Sequence, residues 1–505
     1  MSDALPGTGV VGMSRVYRAP AANRAVLSEP PWEILPELVA ANQRRLNSGD
    51  VRMAGRTLRE FRTAARREIL ELARHATDPS PSAACPSDDR PLLITGHQPE
   101  LAHPGVWVKN FALNGLARKL AGVPLHLIVD NDTLKHTTLR LPVFRPGDAN
   151  SVRLESLPFD SFSGEVPYED RAILNDELFR SFPARAAKLW ANWGYEPLLN
   201  TCWSHGQRVG EVFTRLRRGC ESRWGCRNWE LPVSRLSQTE AFAQFAQHIL
   251  ADLPRFRSVY NAAIRAYRAA NGIRSANHPA PELAEDEAPF WVRQANGSRQ
   301  RATRASDVRT LRPRALTLTL FVRLCVGDFF IHGIGGGKYD EVTDAIIRDY
   351  FGIDPPAYQV LSATLHLPLP GFAATTTDLS RAIRRLRDLQ WNPQRCLTVE
   401  QCAEPNVRAI LEQHAQLVAR EPPWPDHTAR REWFNALRQL KEKLRPWVAD
   451  QWSAAQAQLT QLRNEVAANA ILHRRDYAWV WYPEGLLREF LLSFQLGAGP
   501  LLNSG

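Results

Sequence analysis

Three groups of residues in this chain have the types and spacing that acid–base or ligand chemistry needs. The first is Gly96-His97-Gln98, with His103 and Lys109 a few residues on. An imidazole changes charge near neutrality and serves as acid, base or ligand. The chain has 56 arginines and only seven lysines, so Lys109 stands out as a titratable point charge. The second group is Gly335-Gly336-Gly337-Lys338, preceded by His332 and Gly333. Glycines let backbone N–H groups approach an anion, a helix N-terminus adds partial positive charge, and Lys338 adds a full one. The run is not a Walker A loop, because His332 stands where its first glycine is required and Tyr339 where Ser or Thr would hold magnesium. It is not G-x-G-x-x-G either, because Lys338 takes the third glycine position. The third group is Asp130-Asn131-Asp132 with His136. Such aspartates bind a ribose hydroxyl or an amine, and with His97 they could ligate a metal. Their spacing carries no ligand signature, so no metal is expected. Each group has a plainer reading: a turn needing positive φ for the glycines, a loop-tying backbone hydrogen bond for a histidine, a helix cap or loop for the aspartates.

Positioning these groups requires strands that end where they begin. Leu92–Thr95 reads as a short buried strand running into the loop 96–105. A helix starts near Val106, with Val108, Ala112, Leu116 and Leu120 along one side, and stops at Gly122, a natural C′ residue. Pro124–Asp130 reads as the next strand, completing a βαβ unit. The pattern returns at 328–333, a strand, followed by the glycine turn. A helix then places Val342, Ala345, Ile346, Asp349 and Tyr350 on one face; Gly352 ends it and Tyr358–Leu361 is a further strand. The fold class expected is α/β with a parallel-sheet core, and ligands of open α/β sheets bind at the carboxyl ends of the strands.

Five regions follow. Residues 1–90 form an N-terminal extension with a helix over 51–76 (Leu58, Phe61, Ala65, Leu72) and a breaker loop at 78–89. Residues 91–150 and 311–372 are the two halves of the core. Residues 151–310 read as an insertion, whose tryptophans (190, 193, 203, 224, 229) suit a core better than a stacking platform for single strands. Residues 373–505 are helical. Trp433, Leu437, Leu440, Leu444 and Trp447, then Trp452, Ala455, Leu459, Leu462 and Val466, step by threes and fours like a coiled-coil seam, broken at Pro446. Val407, Ile410, His414 and Leu417 mark another helix, and this arm either packs internally or dimerises.

The formal charge of +10 invites a nucleic-acid reading, but an arginine skew this strong reflects a GC-rich genome more simply, and no motif makes the charge specific. Seven cysteines without a C-x-x-C pair form neither a disulfide framework nor a zinc ribbon and suit a reducing cytoplasm. The first fifteen residues lack the apolar core of a signal peptide. The most apolar stretch, 316–334, is interrupted by Arg323, Asp328 and His332, so no membrane span is expected.

The order of these pieces resembles a known family. Thr95-Gly96-His97-Gln98 follows one strand and Asp130-Asn131-Asp132 ends the next. His332–Gly337 leads into Tyr350-Phe351-Gly352, followed by Leu361-Ser362-Ala363-Thr364 and a closing segment, Leu472–Phe490. Together they are similar to the bacillithiol-biosynthesis cysteine-adding enzyme (BshC) family, over about two-thirds of the chain in scattered pieces. The resemblance implies a Rossmann-like, class I synthetase-like core with a large insertion and a C-terminal α-helical coiled-coil arm that can dimerise. It implies a ligase joining an amino acid, cysteine in the family, to an amino-sugar or related amine. It also implies one pocket involving Gly96, His97, Gln98, Asp130, Asp132, Gly335 and Gly336. His97 stands where the family has a glutamine, Asp-Asn-Asp is less acidic than the family's strand end, and residues 180–235 look unlike it, so a diverged substrate is expected. On the combined reading His97, Asp130 and Asp132 are catalytic. Gly96, Gln98, His103, Lys109, His332, Gly335, Gly336, Gly337 and Lys338 bind substrate or nucleotide, with ATP or ADP the candidate cofactor. The alternative is a non-catalytic protein that binds nucleotide in the same pocket or nucleic acid on its basic surface.

Overall fold

The computed structural model describes residues 17–48, 51–77 and 89–496. The N-terminal fifteen residues and nearly all of the loop expected at 78–89 lie outside them. The chain divides into two compact units. One takes the described residues of Met1–Leu141, Ser156–Leu367 and Arg475–Gly505; the other takes Pro142–Glu155 and Pro368–Arg474.

The first unit is mixed α/β around a mainly parallel sheet. Its principal elements are β1 (Val26–Glu29), α1 (Leu35–Asn47), α2 (Leu58–Thr77), β2 (Leu92–His97), α3 (Pro104–Lys119), β3 (Val123–Ile128), α4 (Val209–Arg223), β4 (Trp229–Pro232), β5 (Phe329–His332), α5 (Ile334–Phe351) and β6 (Gln359–Ala363). The sheet order is β1-β6-β5-β2-β3-β4, with β1 antiparallel on one edge and the other five strands parallel. From β2 the chain crosses through α3 to β3 in one direction. From β5 it crosses through α5 to β6 in the other. Two right-handed crossovers in opposite directions place their helices on opposite faces. The strand order therefore reverses between β2 and β5, which pair directly, Ile94 opposite Phe330.

Strand alternation agrees with this layering. Leu92 and Ile94 join a core with Phe61 and Ile69 of α2 and Val342, Ile346 and Ile347 of α5. Leu93, pointing the other way, is equally buried. On the α3 face Gly115 is required by contact, since a Cβ there would lie 2.2 Å from the carbonyl oxygen of Gln495 in the closing helix Glu484–Gln495. The amino ends of β5 and β2 are tied by Asp328. Its carboxylate accepts from Leu92 N (2.8 Å), Arg62 Nη2 (2.7 Å) and Arg66 Nη1 (2.9 Å), all buried.

Several local expectations need correction. The helix over 51–76 starts only at Leu58, because residues 52–57 form a tight two-stranded hairpin with Ala54 and Gly55 at positive φ. The residue at positive φ after α3 is Ala121, not Gly122. Gly122 is needed because a Cβ would meet the Pro91 carbonyl oxygen at 2.7 Å. The insertion 151–310 does not stand apart from the sheet, because Trp229–Pro232 pairs in parallel with β3. Gly335, Gly336, Gly337 and Lys338 are not a turn ahead of a helix. They lie inside the first two turns of α5, whose N-cap is Gly333. The tryptophans 190, 193 and 224 are buried as expected. No helix among the described residues is long and apolar enough to cross a membrane.

In the second unit Thr376–Trp391 packs on Ala449–Leu472, and Pro405–Ala419 packs on His427–Leu444. A capping box between Thr375 and Asp378 opens the first of these helices. Leu437, Leu440 and Leu444 of the expected seam are buried, and Trp433 Nε1 donates to the Leu417 carbonyl (2.7 Å). A 3-10 turn at Arg445–Val448 separates the two seam helices, as Pro446 requires.

Candidate functional site

The carboxyl ends of β2 and β5 open the crevice where an α/β sheet binds its ligands. Gly96 and His97 are the last residues of β2; His332 is the last of β5, and Gly333 is the N-cap of α5. Between them lies Lys109 of α3. Its Nζ donates to the Gly96 carbonyl (3.0 Å) and sits 3.9 Å from where a Gly333 Cβ would be. The residue is 3% exposed and its ammonium forms no ion pair among the described residues. Burial pushes its pKa down to about 8. The Glu100 charge opposes this shift without forming a direct ion pair with the ammonium. The amino terminus of α5 faces the same crevice with no side chain capping it, which adds partial positive charge.

The imidazoles around Lys109 carry no compensating charge. Burial, then the Lys109 charge, holds His97 well below the usual histidine range. Its Nδ1–H donates to the Gln98 carbonyl (3.0 Å), which leaves Nε2 as an acceptor 3.6 Å from Glu100 Oε1. Burial lowers His103, the N-cap of α3, to about 4, and its Nδ1 is buried without a hydrogen bond. His126 in β3 is lowered to about 4 by burial and then by Arg217, although its Nδ1 lies 3.5 Å from Glu230.

The aspartates after β3 split in two directions. Asp132 accepts from Gln98 Nε2 (2.9 Å) and from Thr133 N (2.8 Å), so it orders the loop beside His97. Asp130 turns the other way and accepts from Ser234 N (2.8 Å) and Ser234 Oγ (2.5 Å). Burial raises its pKa to about 6 despite these bonds. Asp130 and Ser234 line a cavity of about 800 Å3, continued by Glu169, Arg312, Arg215 and Arg235. Glu169 is clamped by Arg312 (2.9 Å). Arg215 and Arg235 are exposed and form no ion pair among the described residues. The wall helix α4 is anchored to α3 through Glu221, which accepts from Trp107 Nε1 (2.6 Å), Asn110 Nδ2 (2.7 Å) and Arg217 Nη1 (2.6 Å).

Gly96, His97, Gln98, His103, Lys109 and Asp132 are thus brought together, and Asp130 lines the neighbouring cavity. The glycine group is placed differently. A Cβ on Gly336 would lie 2.6 Å from His332 Nδ1, and one on Gly337 would lie 2.3 Å from Val360 Cγ2. Two of the three glycines are therefore demanded by packing. His332 is itself closed off, with Nε2 2.5 Å from Asp340, which also pairs with Arg323 (2.9 Å). Gly335 faces open space, and Lys338, on the second turn of α5, forms no ion pair among the described residues. No group of three or more His, Cys, Asp or Glu among the described residues is arranged to hold a metal. His136 is exposed.

Sequence reasoning missed Ser234, Glu169, Arg312, Arg215 and Arg235. The one signal was the short segment Trp229–Pro232 ahead of Ser234, whose status as a strand would have put Ser234 at the sheet's binding edge. Compared with models of known protein families and with characterised proteins, the sequence matches none.

Proposed function

We propose that the chain is a carbon–nitrogen ligase that joins an amino acid to an amino-sugar or related amine. Its core would be Rossmann-like and class I synthetase-like, and its C-terminal helices a coiled-coil arm that dimerises. The substrates follow from the resemblance to the BshC family. One observation carries the site: the buried Lys109 ammonium, without a direct ion pair, at the point where the strand order reverses, beside an uncapped helix terminus. Such a place calls for an anion. In this reading Lys109 and the backbone N–H groups of Ile334–Gly336 hold the carboxylate or phosphate of the acyl-donor side. Phosphate suits this cradle, so ATP or ADP fits it, and when bound supplies activation of the carboxyl group. Asp130, with a pKa near 6, accepts the proton that the amine loses on attack, a task best done by a base whose pKa lies near the working pH. Gln98 fixes Asp132, which orients the amine, and neutral His97 offers Nε2 as a second acceptor.

The test is genetic and needs no prior substrate. The chromosomal copy is replaced by Lys109→Met, and small molecules are compared with the parent strain. The expected result is accumulation of a primary amine and loss of its amino-acyl product. An unchanged amine pool, with the variant protein folded and present, would refute the ligase and leave the non-catalytic binder standing.

A further inference from the structure

In the second unit the carboxyl end of the helix Thr376–Trp391 meets the junction between His427–Leu444 and Ala449–Leu472 at a corner. The corner has a small core of its own, in which Leu389, Cys396, Val448 and Ala455 are buried together. Two hydrogen bonds join its edges. Arg445 Nη2 donates to the Gln390 carbonyl (3.5 Å) and Lys441 Nζ to Asn392 Oδ1 (3.4 Å). Trp391 stands between those two acceptors in the chain and is 47% exposed; Trp447, two residues past Arg445, is 37% exposed. In the first unit Trp107, Trp224, Trp479 and Trp481 are all buried. Arg384, Arg387 and Trp391 fall at i, i+3 and i+7 and so share one face of their helix. Arg384, Arg387, Arg395 and Arg445 are exposed, and Lys441 is half-buried. None of these five cations forms an ion pair among the described residues, and the acceptors that hold Arg445 and Lys441 are neutral. Two carboxylates of the same helices are engaged otherwise: Asp388 accepts from Asn392 Nδ2 (3.2 Å) and Glu442 from Arg438 Nε (3.0 Å). Burial and then the Arg395 charge lower the Lys441 pKa, as like charges held near one another do.

We propose that this corner is a binding surface for single-stranded nucleic acid, independent of the chemistry in the crevice. Cations gathered without carboxylate partners fit a polyanion, because each phosphate they neutralise releases a counter-ion. The exposed indoles narrow the class. A base stacks on an aromatic face only where its own face is free, which an unpaired strand offers and a duplex hides. An acidic peptide would satisfy the cations and leave both indoles uncovered. The phosphates follow Arg384 and Arg387 along the helix and continue to Arg395, Lys441 and Arg445, while bases lie over Trp391 and Trp447. The hydrogen bonds of Arg445 and Lys441 to Gln390 and Asn392 hold those two cations in place before the strand arrives. Because every base has a π-face and the contacts to the backbone are ionic, binding of this kind tolerates any sequence.

The experiment uses the full chain and a short fluorescein-labelled oligothymidylate, with binding read by fluorescence anisotropy at several salt concentrations. The logarithm of the affinity is expected to fall with the logarithm of salt at a slope between about −2 and −3.5, about 0.7 for each phosphate neutralised. Trp391→Ala and Trp447→Ala are each expected to weaken binding about fivefold or more at an unchanged slope. Arg387→Gln combined with Arg395→Gln is expected to make the slope shallower by about 1.4. All these positions are exposed, and an unchanged thermal midpoint shows that each variant is folded. Equal affinity for a duplex of the same length or for polyglutamate would reduce the corner to a general polyanion surface and overturn the proposal. Tryptophan variants that bind like the parent, or a folded parent that does not bind at low salt, would overturn it as well.

Discussion

Replacing Asp328 by Asn removes one charge and almost no volume at the point where β5 and β2 are joined. The parent carboxylate is 1% exposed and faces two guanidiniums whose side chains are 2% and 8% exposed, at 2.7 and 2.9 Å. Removing one partner of a buried pair costs about 3–5 kcal/mol, because the remaining charge stays buried and uncompensated. Here two remain. Arg62 keeps its bonds to the Leu324 (2.7 Å) and Gly327 (3.1 Å) carbonyls, and Arg66 keeps the Arg90 carbonyl (2.7 Å), so neither is orphaned. Those retained bonds place the expected loss near the lower limit, about 3 kcal/mol. Urea unfolding followed by tryptophan emission reads it as a lower midpoint for the first unit at an unchanged slope. A loss below about 1 kcal/mol, the size expected of an exposed pair, would show that hydrophobic contact alone holds the two halves of the sheet together.

Lys109→Met tests the unpaired ammonium through pH. The folded pKa near 8 lies below the ordinary 10.5, so the folded chain binds fewer protons between those values and its stability rises with pH across that window. The parent should gain at most about 3 kcal/mol from pH 8 to 10.5, and the Met variant, which carries no such penalty, should lack the rise in denaturation curves at several pH values. Gly336→Ala and Gly337→Ala should each cost about 1–3 kcal/mol through overpacking against His332 and Val360. Gly335→Ala, with open space at its Cβ, should be neutral or stabilise by up to about 1 kcal/mol through helix propensity. Thermal denaturation of the three variants reads the packing demand, and phosphate binding by the undisturbed Gly335→Ala variant reads the cradle separately. Once a substrate pair is in hand, the rate should rise with pH through a midpoint near 6 as Asp130 ionises; an acidic limb that persists in Asp130→Asn would remove Asp130 from the proton-accepting role.

The position of the crevice was legible in the sequence, and the pairing of its residues only partly so, for reasons that lie in distance along the chain. Leu92–His97 and Phe329–His332 announce themselves as apolar runs ending in glycine, and each is followed by a helix of regular period. From those two local patterns the binding edge follows without any long-range information. The glycine run misled because a local reading treats glycine as a turn former. Gly336 and Gly337 are small to admit the His332 ring and the Val360 side chain, and only the second of those contacts spans the fold. Asp130 and Asp132 looked equivalent because they are two residues apart. Gln98, 34 positions upstream, draws one toward the crevice, and Ser234, 104 positions downstream, draws the other toward the cavity. Lys109 shows the same limit from the other side. Its rarity among arginines marked it, but what singles it out in the fold is burial without a direct ion pair, which depends on every element packed around it. Residue types and periods thus locate a crevice, while the pairing state of each charged group, and hence what the crevice can bind, is decided by strands and helices brought from elsewhere in the chain.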